Sequence, residues 1–243
     1  MTGTLAWTVG EDDGFAVVTV RGLLDLRGTP GLRTALLKCL AEQPDALLVD
    51  LAALEIADDT VLSLFTAVSL QAAHWPGTPL LLCAPSPPVA ELLERGRHGT
   101  MRVHADVAGA RRAVADGRAV VPSISDELLP IVGAVRHARN LATEACLAWD
   151  LPELVGPASL VVSELVSNAV EHAGTMMTVR ITRRNRYVHI AVRDGSPREP
   201  IAATLGSLTQ RGRGLLLVAT VAVHWGSLPS ADGKVVWATL AAA

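Results

Sequence analysis

The sequence predicts two modules in tandem, an α/β domain followed by an α+β two-layer sandwich. Three observations carry that expectation. Up to about residue 116, apolar runs of strand length alternate with helical patterns of roughly 10–15 residues. The stretch GRAVVPSISD (117–126), punctuated by Gly, Pro and Ser, then breaks the rhythm. Beyond it two long helical patterns come first and the strands follow, which suits helices laid on one face of an antiparallel sheet. A chain of 243 residues has room for two domains of ordinary size. The expected division is 1–116, a linker at 117–126, and 127–243.

In the first module FAVVTVRG (15–22) reads as a strand and TPGLRTALLKCLAE (29–42) as a helix with Pro30 in its first turn. ALLVDLAAL (46–54) reads as a buried strand and TVLSLFTAVSLQAAH (60–74) as a helix. TPLLLCAP (78–85) is a further strand, and PPVAELLERG (87–96) and DVAGARRAVAD (106–116) are helical. In the second module helices are expected at about 127–148 and 152–173. The strands MMTVRITRR (176–184) and YVHIAVRD (187–194) follow, joined by a polar turn on which Arg183, Arg184 and Arg186 read as solvated. After a loop with Pro and Gly come the helix GLLLVATVA (214–222) and two strands near 223–228 and 234–241.

Composition narrows the function classes. Aromatic residues make up 3% of the chain and hydrophobic residues 50%, so the core is built from Leu, Val and Ala. A formal net charge of −3 offers no basic stripe to neutralise phosphates, which excludes non-specific nucleic-acid binding. Cys39, Cys83 and Cys146 are isolated, without metal-ligand spacing, and read as small buried hydrophobes. The opening MTGTLAWTVGEDDG lacks a basic n-region, and no apolar run nears the roughly 20 residues that span a bilayer. A cytoplasmic protein engaging neither membrane nor nucleic acid is the expectation.

Candidate chemistry begins at SELVSNAVEH (163–172). At about 100° per residue, Val162, Leu165, Val166, Ala169, Val170 and Ala173 share one arc of the helix. Ser163, Glu164, Ser167, Asn168, Glu171 and His172 share the other. Glu164 and Asn168 lie about 40° apart and one turn apart, so a carboxylate and a carboxamide face a common point. Asn supplies a neutral oxygen to a hard cation, and Glu accepts a proton or holds a water. Taken alone, the same residues read first as a solvated or capping-rich face, which is common on amphipathic helices. VRDGSP (192–197) ends a strand with Asp194 and Gly195, which serves either as a turn or as an acceptor beside close backbone. QRGRGLLLV (210–218) sets Gly212, Arg213 and Gly214 at a helix start, where free N–H groups suit polyphosphate. Each feature is weak by itself; their order along the chain is what points to a nucleotide.

ELVSNAVEH, VRDGSP, RGRGLLLV and GKVVWATL (233–240), in that order, resemble the GHKL ATPase superfamily, and within it the anti-sigma factor serine/threonine kinases. The resemblance covers about 127–241 and implies a GHKL-type two-layer α/β sandwich that binds ATP and Mg²⁺. It implies Glu164 as general base, Asn168 as the Mg²⁺ ligand, Asp194 with Gly195 at the adenine, and Gly212, Arg213 and Gly214 at the phosphates. Arg139, in RHARNLA, resembles an arginine used for partner contact. Ser196 stands where the family has a second glycine, and the loop 196–211 is short for a lid, although its Pro and Gly suit a mobile cover. His172 reads as a packing or capping residue.

The first module resembles the STAS domains of anti-sigma factor antagonists. IADDTVLSLF (56–65) falls at the family's phosphorylation loop, and Thr60 aligns with the acceptor, which implies a phospho-acceptor there. The simpler role of this loop is an N-cap supplied by Asp58 or Asp59. Val61 replaces the usual following glycine, and Asp59 stands where a serine is common, so a degenerate switch is the companion reading. Together the resemblances imply a transcription regulator that phosphorylates a Ser or Thr of a STAS-domain antagonist or captures an RNA polymerase sigma factor, with homodimerisation resting on likeness alone. The rival is a non-catalytic, nucleotide-dependent binding protein that sequesters either partner, and simple ATP hydrolysis is the third outcome.

Overall fold

The computed structural model describes residues 3–95, 101–117, 121–184, 186–200 and 213–242. The chain divides into two compact units, Met1–Ala119 and Val120–Ala243.

The first unit is a five-stranded sheet of β1 (Ala6–Asp12), β2 (Phe15–Leu24), β3 (Ala46–Ile56), β4 (Leu80–Cys83) and β5 (Arg102–His104), in that spatial order. β1 is antiparallel to β2 and the remaining neighbours are parallel. Parallel strands need crossovers, and α1 (Thr29–Ala41), α2 (Ser63–His74), α3 (Pro87–Arg95) and α4 (Val107–Ala115) alternate with them. Parity along the strands separates two packed faces. Phe15, Ala46, Leu48, Leu81 and Cys83 cluster with Ala110 of α4. Leu47 and Val49 point the opposite way and are equally buried. The α1 stripe Leu32, Leu36 and Leu40 is fully buried.

β1 and β5 lie outside the expected elements. β1 is an exposed edge strand whose residues need no apolar alternation. Its hairpin was nonetheless signalled: Asp13 (φ 50°) and Gly14 (φ 80°) form a two-residue turn in which both residues adopt positive φ. β5 is three residues long and too short to show a period.

The second unit is a five-stranded antiparallel sheet in the order β6 (Ser123–Leu128), β7 (Met177–Arg184), β8 (Tyr187–Asp194), β10 (Lys234–Ala241), β9 (His224–Pro229). Here α5 (Ala134–Ala148), α6 (Val155–His172) and α7 (Arg213–Val221) join the sheet in one core. Ala138, Ala142 and Ala145 on α5 let it approach Val161, Val162 and Leu165 of α6 closely. Val179, Ile181, Val188, Ile190 and Val192 close the core from the sheet. Fully burying each such aliphatic side chain stabilises the fold by roughly 1.5–3 kcal/mol.

The expected linker at 117–126 needs correction, because Ser123–Asp126 pairs with Val179–Thr182 as part of β6. The helix expected from about 127 starts at Ala134. A polar edge strand, SISDEL, carries no strong period, which explains the misplacement. Arg183 is also less solvated than its charge suggested: half-buried, it donates through Nη1 to the Trp149 carbonyl at 2.5 Å. Cys39, Cys83 and Cys146 are buried free thiols, with burial raising Cys39 to about 11 and Cys83 to about 12. Among the described residues no helix is long and apolar enough to cross a membrane.

Candidate nucleotide site

Strand parity builds the polar end of the site. On β8 the residues Val188, Ile190 and Val192 face the helices, and Asp194 continues that series at the strand's end. On β10 the same face carries Leu240, Ala238 and Val236, and the series ends at Lys234. Register pairs Asp194 with Lys234 on one side and with Met177 on the other. An ordinary core pattern therefore delivers a carboxylate and an ammonium, side by side, to one buried edge.

The pair is tight and dry. Lys234 Nζ donates to Asp194 Oδ1 at 2.8 Å, with the two side chains 5% and 1% exposed. Ser196 N–H donates to the same Oδ1 at 2.8 Å, and the Ser196 carbonyl accepts from Lys234 Nζ at 3.2 Å. Asp194 Oδ2 is buried and accepts no hydrogen bond among the described residues. A buried acceptor left unpaired costs roughly 1–3 kcal/mol until a donor arrives, so this oxygen is suited to a ligand's amine.

Backbone approach is enforced around it. Gly195 N–H donates to Thr175 Oγ1 at 2.9 Å, tying the end of β8 to the turn after α6. A Cβ on Gly233 would collide with the Asp194 carbonyl and lie 2.7 Å from Gly195 Cα, so only glycine fits there. Ser196, in place of the family's glycine, contributes its backbone to the Asp194–Lys234 pair as an Asx-type turn.

The helical side of the site comes from α6 and α7. Glu164 and Asn168 are both half-buried and one turn apart on α6. Gly214, in the first turn of α7, lies so close that a Cβ on it would overlap Glu164 Oε2. The structure thus brings the candidate base against the helix start expected at the phosphates, where the dipole favours negative charge. Gly212 lies outside the described residues, as does the side chain of Arg213, and the expected cover 196–211 is described only to residue 200. Among the described residues no cluster of three or more His, Cys, Asp or Glu could hold a metal. A cation on Asn168 would draw its other oxygens from phosphates and water, as Mg²⁺ commonly does.

Ser163 departs from the expected polar arc. It is 5% exposed, its hydroxyl donates to the Ser159 carbonyl, and it accepts from Arg139 Nε at 2.6 Å. Arg139, expected at a partner surface, is an exposed residue of α5 anchored to the residue before Glu164. His172 is the exposed last residue of α6. In the first unit Thr60 is exposed within a 3-10 turn, Asp59–Leu62, and its N–H donates to Asp58 Oδ1 at 2.9 Å. The Thr60 hydroxyl first, and this backbone cap second, hold the Asp58 carboxyl below its usual value. The capping role read from the sequence is therefore present, and the Thr60 hydroxyl remains at the surface.

The quoted motif GKVVWATL contained Gly233 and Lys234 without giving either a role, and Thr175 lies outside every quoted motif. Lys234 was reachable: alternation in GKVVWATL puts it in the inward series and antiparallel pairing puts it opposite Asp194.

An inward carboxylate at a strand end, a carboxylate and carboxamide on a covering helix, and a glycine at a helix start are the groups the second unit offers as a candidate nucleotide site. Residues 131–240 match the Histidine kinase-like ATPase domain family, and residues 7–103 match the family described as Mlab, STAS domain. The chain thus carries in tandem a match to the STAS family and a match to the histidine kinase-like ATPase domain family of the GHKL type. Among solved structures, an anti-sigma factor antagonist from Mycobacterium paratuberculosis is 26% identical, covering 46% of this chain and 96% of that one, with a TM-score of 0.42. The anti-sigma factor antagonist SpoIIAA in its unphosphorylated form is 16% identical over 47% and 100% of the two chains, with a TM-score of 0.40. RsbS of Moorella thermoacetica is 22% identical over 45% and 95%, with a TM-score of 0.39. No curated protein matches the chain. The assignment of the first unit rests on the family match.

Proposed function

We propose that this protein is an ATP-dependent serine/threonine kinase of a partner-switching system that regulates bacterial transcription, with a STAS module fused to its ATPase domain. One observation carries the reading: Asp194 is buried with one oxygen held by Lys234 and Ser196 and the other without a donor. That is an acceptor waiting for an exocyclic amine, and both it and the close approach of Gly214 to Glu164 fall within the ATPase family match.

In this reading Asp194 Oδ2 accepts from the adenine amine, and Gly195 and Gly233 keep the backbone low enough for a flat base. Gly214 would face the phosphates, with Gly212 and Arg213 assigned there by the family resemblance alone. Asn168 would hold a Mg²⁺ ion, which would supply positive charge against the phosphates. The Glu164 carboxylate takes the proton of an acceptor Ser or Thr hydroxyl. The hydroxyl oxygen bonds to the γ-phosphorus as that atom's bond to the bridging oxygen breaks, and ADP leaves. The acceptor would belong to a STAS-domain antagonist, and Arg139 would help dock that antagonist or a sigma factor. Thr60 would be the corresponding acceptor of this chain's own STAS module. Its exposed hydroxyl beside Asp58 and Asp59 would add a phosphate's charge to an already acidic turn.

The test is incubation with labelled ATP and candidate antagonists, using the wild type and Glu164→Ala. Label on a partner Ser or Thr that disappears in Glu164→Ala supports the kinase. Release of free phosphate alone makes the protein a hydrolase. Intact ATP binding with neither product leaves only nucleotide-dependent sequestration and removes the kinase assignment.

A further inference from the structure

Lys234 is a buried cation, 4% exposed, at the floor of the nucleotide site. An ammonium carries three N–H donors and no acceptor. Two of them have acceptors in the structure, Asp194 Oδ1 at 2.8 Å and the Ser196 carbonyl at 3.2 Å. On the same cross-strand pair, Asp194 Oδ2 lacks a donor among the described residues. The ion pair therefore offers an incoming ligand one acceptor and one donor next to each other, both desolvated. It also presents no net charge, so a neutral ring can enter without leaving a lone buried charge behind.

We propose that Lys234 is a base-reading residue: its third N–H donates to the ring nitrogen beside the exocyclic amine that Asp194 Oδ2 accepts. The proposal rests on reading this site as one for adenine nucleotides. A 6-amino purine presents a donor next to an acceptor and satisfies both groups. A 6-oxo purine presents the reverse, setting a carbonyl oxygen against Oδ2 and a ring N–H against the ammonium. Lys234 thus does more than neutralise Asp194; it reads the second atom of the base edge directly, and the cost of a mismatch is high because the unpaired groups stay buried.

The experiment compares ATP with 1-deaza-ATP, which keeps the amine and replaces the ring nitrogen by C–H. Dissociation constants are measured with Mg²⁺ on the full chain, its Lys234→Met variant and its Asp194→Asn variant. The wild type is expected to prefer ATP by about tenfold or more, the range of a hydrogen bond to a charged group. Lys234→Met is expected to bind both nucleotides alike, because the donor is gone. Equal binding of the two nucleotides by the wild type would overturn the proposal, and so would an undiminished preference in Lys234→Met. If Lys234→Met does not fold, the wild-type comparison still decides. Failure of the underlying reading looks different: ATP does not bind at all, or Asp194→Asn leaves its affinity unchanged.

Discussion

Replacing Gly214 by Ala separates the chemistry of the site from its stability. A Cβ at this position would overlap Glu164 Oε2 and sit 3.1 Å from Glu164 Cδ, while Glu164 Cβ, at 3.5 Å, is already in ordinary contact. The obstruction is the far end of a flexible side chain, so the backbones of α6 and α7 need not part. Restoring a separation of about 3.5 Å requires the carboxylate to swing aside by roughly 1.4 Å. Ala gains up to about 1 kcal/mol over Gly within a helix, which offsets the crowding, so the folding free energy should change by no more than about 1 kcal/mol. Moving a catalytic group by about 1 Å costs on the order of 100-fold in rate. The expected result is a near-normal urea transition with ATP turnover, followed as label transfer or phosphate release, down about 100-fold. Turnover within about threefold of wild type would refute the placement of Glu164 as the base. A collapse of stability would refute the claim that only its side chain stands in the way.

Other substitutions test the scaffold and the first unit. Leu165→Ala removes a 1%-exposed side chain between α6 and the sheet, and should cost about 2–5 kcal/mol in urea unfolding. Burial first, and the charge of Arg184 second, push His189 down to about 4 from 6.5. The unfolded chain binds that proton near pH 6.5 and the folded chain does not until about pH 4. The neutral imidazole's contribution is therefore full above about pH 6.5 and falls by on the order of 3 kcal/mol as the pH drops toward 4. Urea titrations across that window should show the loss, and His189→Gln should flatten it. Incubating the chain with ATP and a cognate kinase should place phosphate on the Thr60 peptide by mass spectrometry, and Thr60→Ala should abolish it. Label found only on other peptides would remove Thr60 as the acceptor.

Much of the fold was legible because its signals are periodic. The Leu and Val runs at 46–54 and 187–194 have buried faces of the expected parity, and the long helices carry the apolar stripes that pack them. Edge strands were missed because β1 and β6 bury little and need no apolar face, although Asp13–Gly14 did announce a hairpin. Of the candidate site residues, Glu164 and Asn168 stand a turn apart on α6 as their spacing implied, and Asp194 ends β8 before Gly195. The helical arc placed Ser163 with the polar residues, but α5 covers that position and supplies Arg139 as its partner. Lys234 stood in the motif GKVVWATL and in the expected strand without a role, because only cross-strand register puts it against a buried carboxylate. Local patterns therefore reveal which residues share a face, while pairings between distant strands decide which charges meet.

The most direct test of the account is a titration of the intact chain with ATP, with and without Mg²⁺, alongside Asp194→Asn and Asn168→Ala. Saturable binding that Mg²⁺ tightens is expected, with a loss of about tenfold or more in Asp194→Asn and loss of the Mg²⁺ effect in Asn168→Ala. ATP binding of equal strength in all three proteins, indifferent to Mg²⁺, would contradict that expectation.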